Sequence, residues 1–501
     1  MKKRASESEK NKKEQQDRLF DIRNGELIRY YGDLSEVEIP DHVTGIGEGA
    51  FRGCKRLTDV KLGKAVTAIR DFAFRDCAKL RRVTLPAGLR EIGKEAFRGC
   101  RSLATVILPR AVFAIGEGAF RDCVSLRTVT LSAGVTELGS FAFAGCESIE
   151  EIELPEGITA LSRSLFFRCH ALRRVKIPDS VQTLGGYTFA QCTSLEEIDL
   201  PSHITYIGKG SFCDCKSLKS FRMPQNVCTV ANHTFSCCVS LEEVVLSESL
   251  AEIGNYAFCN CTALREISLP QTIQTVGQGS FLHCASLREM VMPPSIQTMG
   301  QQAFAYCIGL KCVKLSEGLR AIEAESFRGC IKLEEICVPG SVERIEARAF
   351  LNCMALEKTV FSNGLKRIGE QAFAECAAVT VMLPETVEVI AAYAFEKCYW
   401  LSTVILPERR LFVGKGVFAS CEGLEVLVIA KGRRVFARQR ERWGLSDQTQ
   451  ILSHPELQAA ELFAEYTDLT VSQERRDQLR EELQGYLFAK KHKRKKKKKE
   501  E

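Results

Sequence analysis

The chain has 501 residues, 45% hydrophobic and 26% charged, with 36 Gly, 14 Pro and two Trp, which excludes bulk disorder and leaves room for several domains or one long array. Its 23 cysteines fall short of the ~8–10% density of a small disulfide scaffold, and an odd number cannot pair completely. No apolar run reaches the ~18–20 residues of a membrane-spanning helix. The start, Met1-Lys-Lys-Arg-Ala-Ser-Glu-Ser-Glu-Lys, has no apolar core after its charges, so no secretory signal is visible and a cytoplasmic, reducing location is expected. Net charge is +6, but nine basic and two acidic residues lie in 490–501, and seven basic and four acidic in 1–18. The body between these two ends is therefore slightly acidic.

In chain order, residues 1–18 read as a disordered charged arm and 19–45 as an N-terminal capping coil. A strict repeat then begins. Cys54, Cys77, Cys100 and each successor to Cys376 are 23 residues apart, and Cys398 and Cys421 follow after a single 22-residue step. Phe stands three residues before each of these seventeen Cys, and Leu, Ile or Val three after. A period of this size predicts a solenoid over 46–430.

Within one unit, Ile46, Ala50, Phe51 and Cys54 recur every three to four residues, the spacing of a short helical turn, while Val60 and Leu62 alternate with polar Lys61 in a strand with one buried face. Pro follows the strand in eleven of seventeen units, where no ladder donor is needed. A single coil cannot enclose its apolar side chains, whereas stacked coils bury a continuous core. The fold class is α/β, with a parallel sheet on one face of the solenoid and short helical turns on the other.

The pattern C-x-x-L-x-x-[IV]-x-[IL]-P-x-x-[VI]-x-x-I-G-x-x-A-F resembles the BspA-type, or Treponema pallidum-type, leucine-rich repeat family over 46–430. The lead-in Gly25–Gly32 followed by Val37–Val43 looks like the degenerate first coil of such arrays. The resemblance implies a solenoid that binds protein partners, with the sheet on its concave face. Secreted members act as surface adhesion proteins, which makes adhesion an alternative reading.

The cysteine ladder offers little metal or redox chemistry. Repeat symmetry makes successive Cβ vectors parallel, which is poor disulfide geometry, so the seventeen thiols read as small buried hydrophobes. Cys213, Cys228, Cys237, Cys259, Cys312 and Cys337 stand outside the ladder without the paired spacing of a zinc site. Seven scattered His keep no fixed relation to acids, and Gly47-Glu-Gly49-Ala-Phe-Arg-Gly53 is one copy of a freely varied repeat rather than a phosphate loop. No catalytic residue, metal or cofactor is expected.

The outward sheet face is the informative surface. In coils five to eight it runs Glu150, Glu151, Glu153, then Arg173, Arg174, Lys176, then Glu196, Glu197, Asp199, then Lys219, Arg222. Alternating signs on adjacent strands suit a self-neutralising ladder. The position between the buried strand residues later becomes apolar in five successive coils: Cys337, Val360, Met382, Ile405 and Val428. This stripe, with its flanks Glu335, Lys358, Thr403 and Val426, is the candidate partner-binding region. Either a protein partner or the C-terminal segment covers it.

That segment, 431–488, abandons the repeat and reads as a helical cap, with Leu479, Leu483 and Leu487 at four-residue intervals. Residues 489–501 are a basic tail in which Lys495, Lys496, Lys497, Lys498 and Lys499 would contact phosphates of nucleic acid or anionic lipid without sequence specificity. The expectation is a monomeric, non-enzymatic protein-interaction scaffold, with a nucleic-acid or membrane tether through the tail as the alternative.

Overall fold

The computed structural model describes residues 19–430 and 433–453, and beyond these only the single positions 475, 478 and 482. The expected arm 1–18, most of the expected helical cap and the Lys-rich tail lie outside the described residues. The chain forms two compact units that part near Leu250, with Asn260–Thr262 belonging to the first.

In the first unit the coils contribute two parallel strands, except that the coil around Ile198 forms only the shorter one. The longer one carries the Val-x-Leu pattern: Asp59–Lys61 lies between Glu36–Glu38 and Arg82–Thr84, with Val37, Val60 and Val83 in register. A two-residue strand follows, and Ala68–Ile69 pairs with Gly45–Ile46 and Glu91–Ile92. Inward residues of both ladders, such as Val60 and Ile69, are buried, while Lys61 and Thr84 face water.

The segment read as a short helix is a chain of turns instead. In the first coil the N–H groups of Ala50, Arg52 and Cys54 donate three residues back, to Gly47, Gly49 and Phe51. Those of Gly49, Phe51 and Gly53 donate across to Asp71, Ala73 and Arg75 of the next coil at 2.7–3.0 Å. Gly49 and Gly53 have φ of 59° and 74°, and Phe72 and Asp76 take the same places in the next coil at 57° and 61°. A left-handed residue every fourth position interrupts the i→i−4 bonding of a helix. The donors thereby turn toward the neighbouring coil.

The core of each unit is an aromatic stack. From Phe51 to Phe235 in the first unit, successive rings lie 4.9–5.9 Å apart with planes within 12° of parallel. Beside it, the ladder thiols reach back one coil, with Cys77, Cys100 and Cys123 donating to the carbonyls of Phe51, Phe74 and Phe97 at 3.0–3.2 Å. The cysteines thus act as core residues that also satisfy a buried carbonyl. Burial pushes the Cys169 thiol up to about 12, which keeps it neutral at physiological pH.

The stack begins on a hairpin. Phe20–Arg23 and Glu26–Tyr30 pair antiparallel about Asn24 and Gly25, with φ of 52° and 80°, the positive angles that an Asn-Gly hairpin turn requires. Glu26–Tyr30 then pairs parallel with Gly45–Ile46, and the Tyr30 ring stacks on Phe51 at 5.0 Å. Tyr30 therefore takes the place of a preceding Phe.

The second unit repeats this coil, its rings stacked from Phe258 to Phe418 at 5.0–6.1 Å. After the last coil the α-helix Ala437–Trp443 supplies what a further coil would: Gly416 and Phe418 donate to the Arg442 and Trp443 carbonyls at 2.7 and 2.9 Å. Gly444, at φ 75°, ends the helix, and the Leu445 N–H closes on Arg440 at 3.0 Å. The span expected to be a helical cap also holds a strand, Gln450–Ser453, which extends the sheet in parallel beside Val426–Ile429.

Candidate functional site

In both units the inward side of each coil is occupied by core, so surface chemistry is confined to the outward sheet face and to the coil edges. On the first unit's sheet face the charge alternation is realised as pairs one coil apart. Lys61 meets Glu38 at 2.7 Å, Lys219 meets Glu196 at 3.2 Å, and Lys176 pairs with Glu153. All of these side chains are mostly exposed. Such pairs neutralise the face and contribute little to stability.

The candidate stripe lies in the second unit, where register brings its members together. Cys337 is opposite Val360, Met382 opposite Ile405, and Ile405 opposite Val428. In the flanking outward row, Glu335 faces Lys358, and Thr403 faces both Thr380 and Val426. The row gains members that the repeat pattern did not reveal, because Gln450 and Leu452 on the final strand continue it opposite Val426 and Val428.

The stripe is not an open surface in this structure. Cys337, Glu335 and Lys358 are half-buried. Val360, Thr403 and Val426 are buried, and Met382, Ile405 and Val428 retain only 2%, 5% and 0% of their exposure. The register does not itself impose this burial, since Val291 at the same position of an earlier strand is 61% exposed. Nor does apolar character, since Ile107 at that position in the first unit is 65% exposed.

An exposed apolar row runs along the coil edge of the second unit, at the residue directly after each ladder Cys. Ile308, Ile331, Met354 and Tyr399 occupy it, with Ala377 half-buried between the last two and Trp400 beside Tyr399 at 72% exposure. Met354, Glu375, Ala377, Lys397, Tyr399 and Trp400 line a shallow recess of about 420 Å³, and Lys397 pairs with Glu375 across it at 2.9 Å. At this position the first unit has Lys55, Arg101, Glu147 and Lys216 but also Ala78, Val124 and Val239, so the sequence contrast between the units is partial. The row lies outside the strands, whose alternation defines the candidate stripe.

Among the described residues no group of three or more His, Cys, Asp or Glu is placed to hold a metal ion, and no helix is long and apolar enough to cross a membrane.

Comparison with known proteins agrees with this architecture. The family model described as BspA type leucine rich repeat region matches residues 27–146, 113–240, 228–357 and 343–438. A leucine-rich repeat protein from Bacteroides ovatus is 25% identical over 87% of this chain and 97% of its own, with a TM-score of 0.50. The T. pallidum leucine-rich repeat protein is 34% identical, covering 36% of this chain and 88% of its own at a TM-score of 0.34. A leucine-rich cell surface protein from Faecalibacterium prausnitzii is 26% identical over 68% of this chain and 92% of its own, with a TM-score of 0.43. No curated protein sequence matches. With the family model spanning both units, and with the Phe and Cys ladders forming the core that its repeat encodes, the chain belongs to the BspA-type leucine-rich repeat family.

Proposed function

We propose that this chain is a non-enzymatic scaffold that binds a protein partner through apolar surface displayed by its second unit. The observation that carries this reading is the row Ile308, Ile331, Met354 and Tyr399, which exposes large apolar side chains at one register position of four coils, interrupted only by Ala377, with Trp400 exposed beside Tyr399. Exposed apolar surface of this extent marks contact sites, and Trp and Tyr are the residues that anchor interfaces. The backbone beneath is held by coil-to-coil hydrogen bonds, so little ordering is lost on binding. The sheet-face stripe, with its flanks Glu335, Lys358, Thr403 and Val426, is a second surface of this reading, although its later members are buried.

Affinity capture from the native host tests this, comparing the full chain with a Met354→Ser, Tyr399→Ser, Trp400→Ser variant and with a Val360→Glu, Met382→Glu, Ile405→Glu variant. Loss of the same prey in the first variant supports the edge row, and loss in the second supports the stripe. Identical prey from all three chains rejects both surfaces.

A further inference from the structure

We infer that the edge of the first four coils is a further interaction surface, which binds the phosphate backbone of single-stranded nucleic acid. Charge that nearly cancels over the whole body is divided sharply within the first unit. Residues 52–127 hold seventeen basic and seven acidic side chains, whereas 128–250 hold nine basic and fourteen acidic.

The coil gathers part of this excess on one edge, where the chain leaves the turns and enters the longer strand. Lys55, Lys79, Arg81, Arg101 and Arg127 stand there on four successive coils, all exposed. None of the five has an ion pair among the described residues, in contrast to their neighbours Arg56, which meets Asp33 at 3.1 Å, and Arg82, which meets Asp59 at 3.4 Å. Backbone bonds fix the spacing, with the Arg81 N–H donating to the Thr58 carbonyl at 2.7 Å and the Arg127 N–H to the Ala104 carbonyl at 2.9 Å. The rings beneath these coils are 4.9–5.3 Å apart, so each step of the array presents another cation. The row then ends, because in the fifth coil exposed Glu147 takes the position of Arg101 and exposed Glu150 that of Arg127.

Like charges on adjacent coils repel, and a bound polyanion offsets that repulsion. The surroundings of the row select which polyanion. Protein interfaces are built around apolar anchors with charge depleted at the centre, whereas between these cations lie only Ala78, Ala104 and half-buried Val124. The guanidinium forks of Arg81, Arg101 and Arg127 match pairs of phosphate oxygens. An exposed aromatic adjoins the end of the row: Tyr31, two residues before the Asp33 that pairs with Arg56, is 65% exposed and carries the Arg29 guanidinium over its ring at 5.7 Å. A ring next to a line of cations gives an unpaired base a surface to stack on, the combination by which single strands are held without sequence readout.

The test uses the full chain with every Lys and Arg of 490–499 changed to Gln, which takes the Lys-rich tail out of the measurement. Fluorescence anisotropy follows a labelled oligothymidine of about 20 nucleotides between about 50 and 200 mM salt. Binding is expected, weakening linearly in log Kd against log salt. Lys79→Gln, Arg81→Gln, Arg101→Gln and Arg127→Gln together should weaken it about tenfold or more at the lowest salt and flatten the slope by about 3, since each phosphate contact on a single strand contributes about 0.7. Tyr31→Ala should weaken binding about fivefold or more with the slope unchanged, because stacking releases no counterions. Lys176→Gln with Lys219→Gln, which removes cations already paired with Glu153 and Glu196, should alter neither.

Unchanged affinity and slope in the fourfold variant would overturn the inference. So would tighter binding of polyglutamate, dextran sulfate or phosphatidylserine vesicles than of the oligonucleotide, which would assign the edge to an acidic protein, a sulfated polysaccharide or a membrane. Unchanged affinity in Tyr31→Ala would overturn the choice of a single strand. If the fourfold variant unfolds at a lower denaturant midpoint, the pair Arg101→Gln, Arg127→Gln is judged by the slope alone, with half the change expected. No protein partner enters this assay, so its outcome is independent of the apolar row on the second unit.

Discussion

The outward sheet face differs between the two units although the coil beneath it is the same. In the first unit that face bears Lys61, Glu153, Lys176, Glu196 and Lys219, exposed and paired one coil to the next. In the last strands of the second unit it bears Met382, Ile405, Val428 and Leu452, all buried. The inward layer shows no such contrast, since both units stack Phe on Phe and bond ladder thiols to the preceding coil, as Cys100 and Cys353 do. Stability is therefore a property of the repeat, while the face that meets the surroundings varies coil by coil.

The largest expected effect lies in the shared layer. Phe120→Ala and Phe350→Ala each remove a fully buried ring between two stacked neighbours, and each should cost about 3–5 kcal/mol in denaturant unfolding. A cost confined to one unit would break the claim that the inward layers are equivalent.

The contrast itself is sharpened by placing a charge at one register position in each unit. Ile405→Glu puts a carboxylate at a buried position and should cost about 2–3 kcal/mol, the penalty for an unpaired buried polar group. Thr130→Glu, at the exposed equivalent in the first unit, should leave the unfolding midpoint unchanged. Equal midpoints for the two variants would show that the stripe is not buried in solution.

The thiol ladder predicts alkaline sensitivity in both units. Cys169 ionises near 9 when exposed but is pushed up to about 12 by burial, so folding favours the neutral thiol. Its contribution is intact below about pH 9 and is lost as pH rises from there toward 12, at about 1.4 kcal/mol per pH unit. Melts from pH 8 to 11 should show this decline, and Cys169→Ala should lessen its slope while the other buried thiols, such as Cys123 and Cys215, keep theirs. An identical slope in that variant would remove the thiol from the account.

The smallest effect is expected on the charged face. Lys219→Ala breaks an exposed pair with Glu196 and should leave the denaturation midpoint unresolved from that of the parent chain, at low or high salt. A clear salt-dependent loss would mean that the first unit's charges stabilise the fold.

Much of the architecture is legible from residues. The Phe-x-x-Cys spacing specifies seventeen coils and the alternation around Val60 gives the strands their buried side, whereas the hairpin about Asn24 and Gly25 that starts the stack is seen only in the structure. The turns were misread as helical because a spacing of three to four residues suits a helix and also suits turns closed every three residues. Only the donors sent across to the next coil, such as Phe51 to Ala73, favour the second arrangement. The strand Gln450–Ser453 was missed because it lies outside the repeat register and is identified by its pairing with Val426–Ile429.

The candidate site divides in the same way. Its residues could be named from the sequence, because a register position in a periodic array is a local property that propagates by translation from coil to coil. Whether that position is wet could not, since Val291 and Met382 share a register and differ in exposure. By itself the sequence determined the repeat, the core and the order of side chains on each face. Tertiary structure alone decided which part of the face is buried and that the row from Ile308 to Trp400 stays open, because residues at one register position, such as Val291 and Met382, differ in exposure and no period within the repeat encodes that difference.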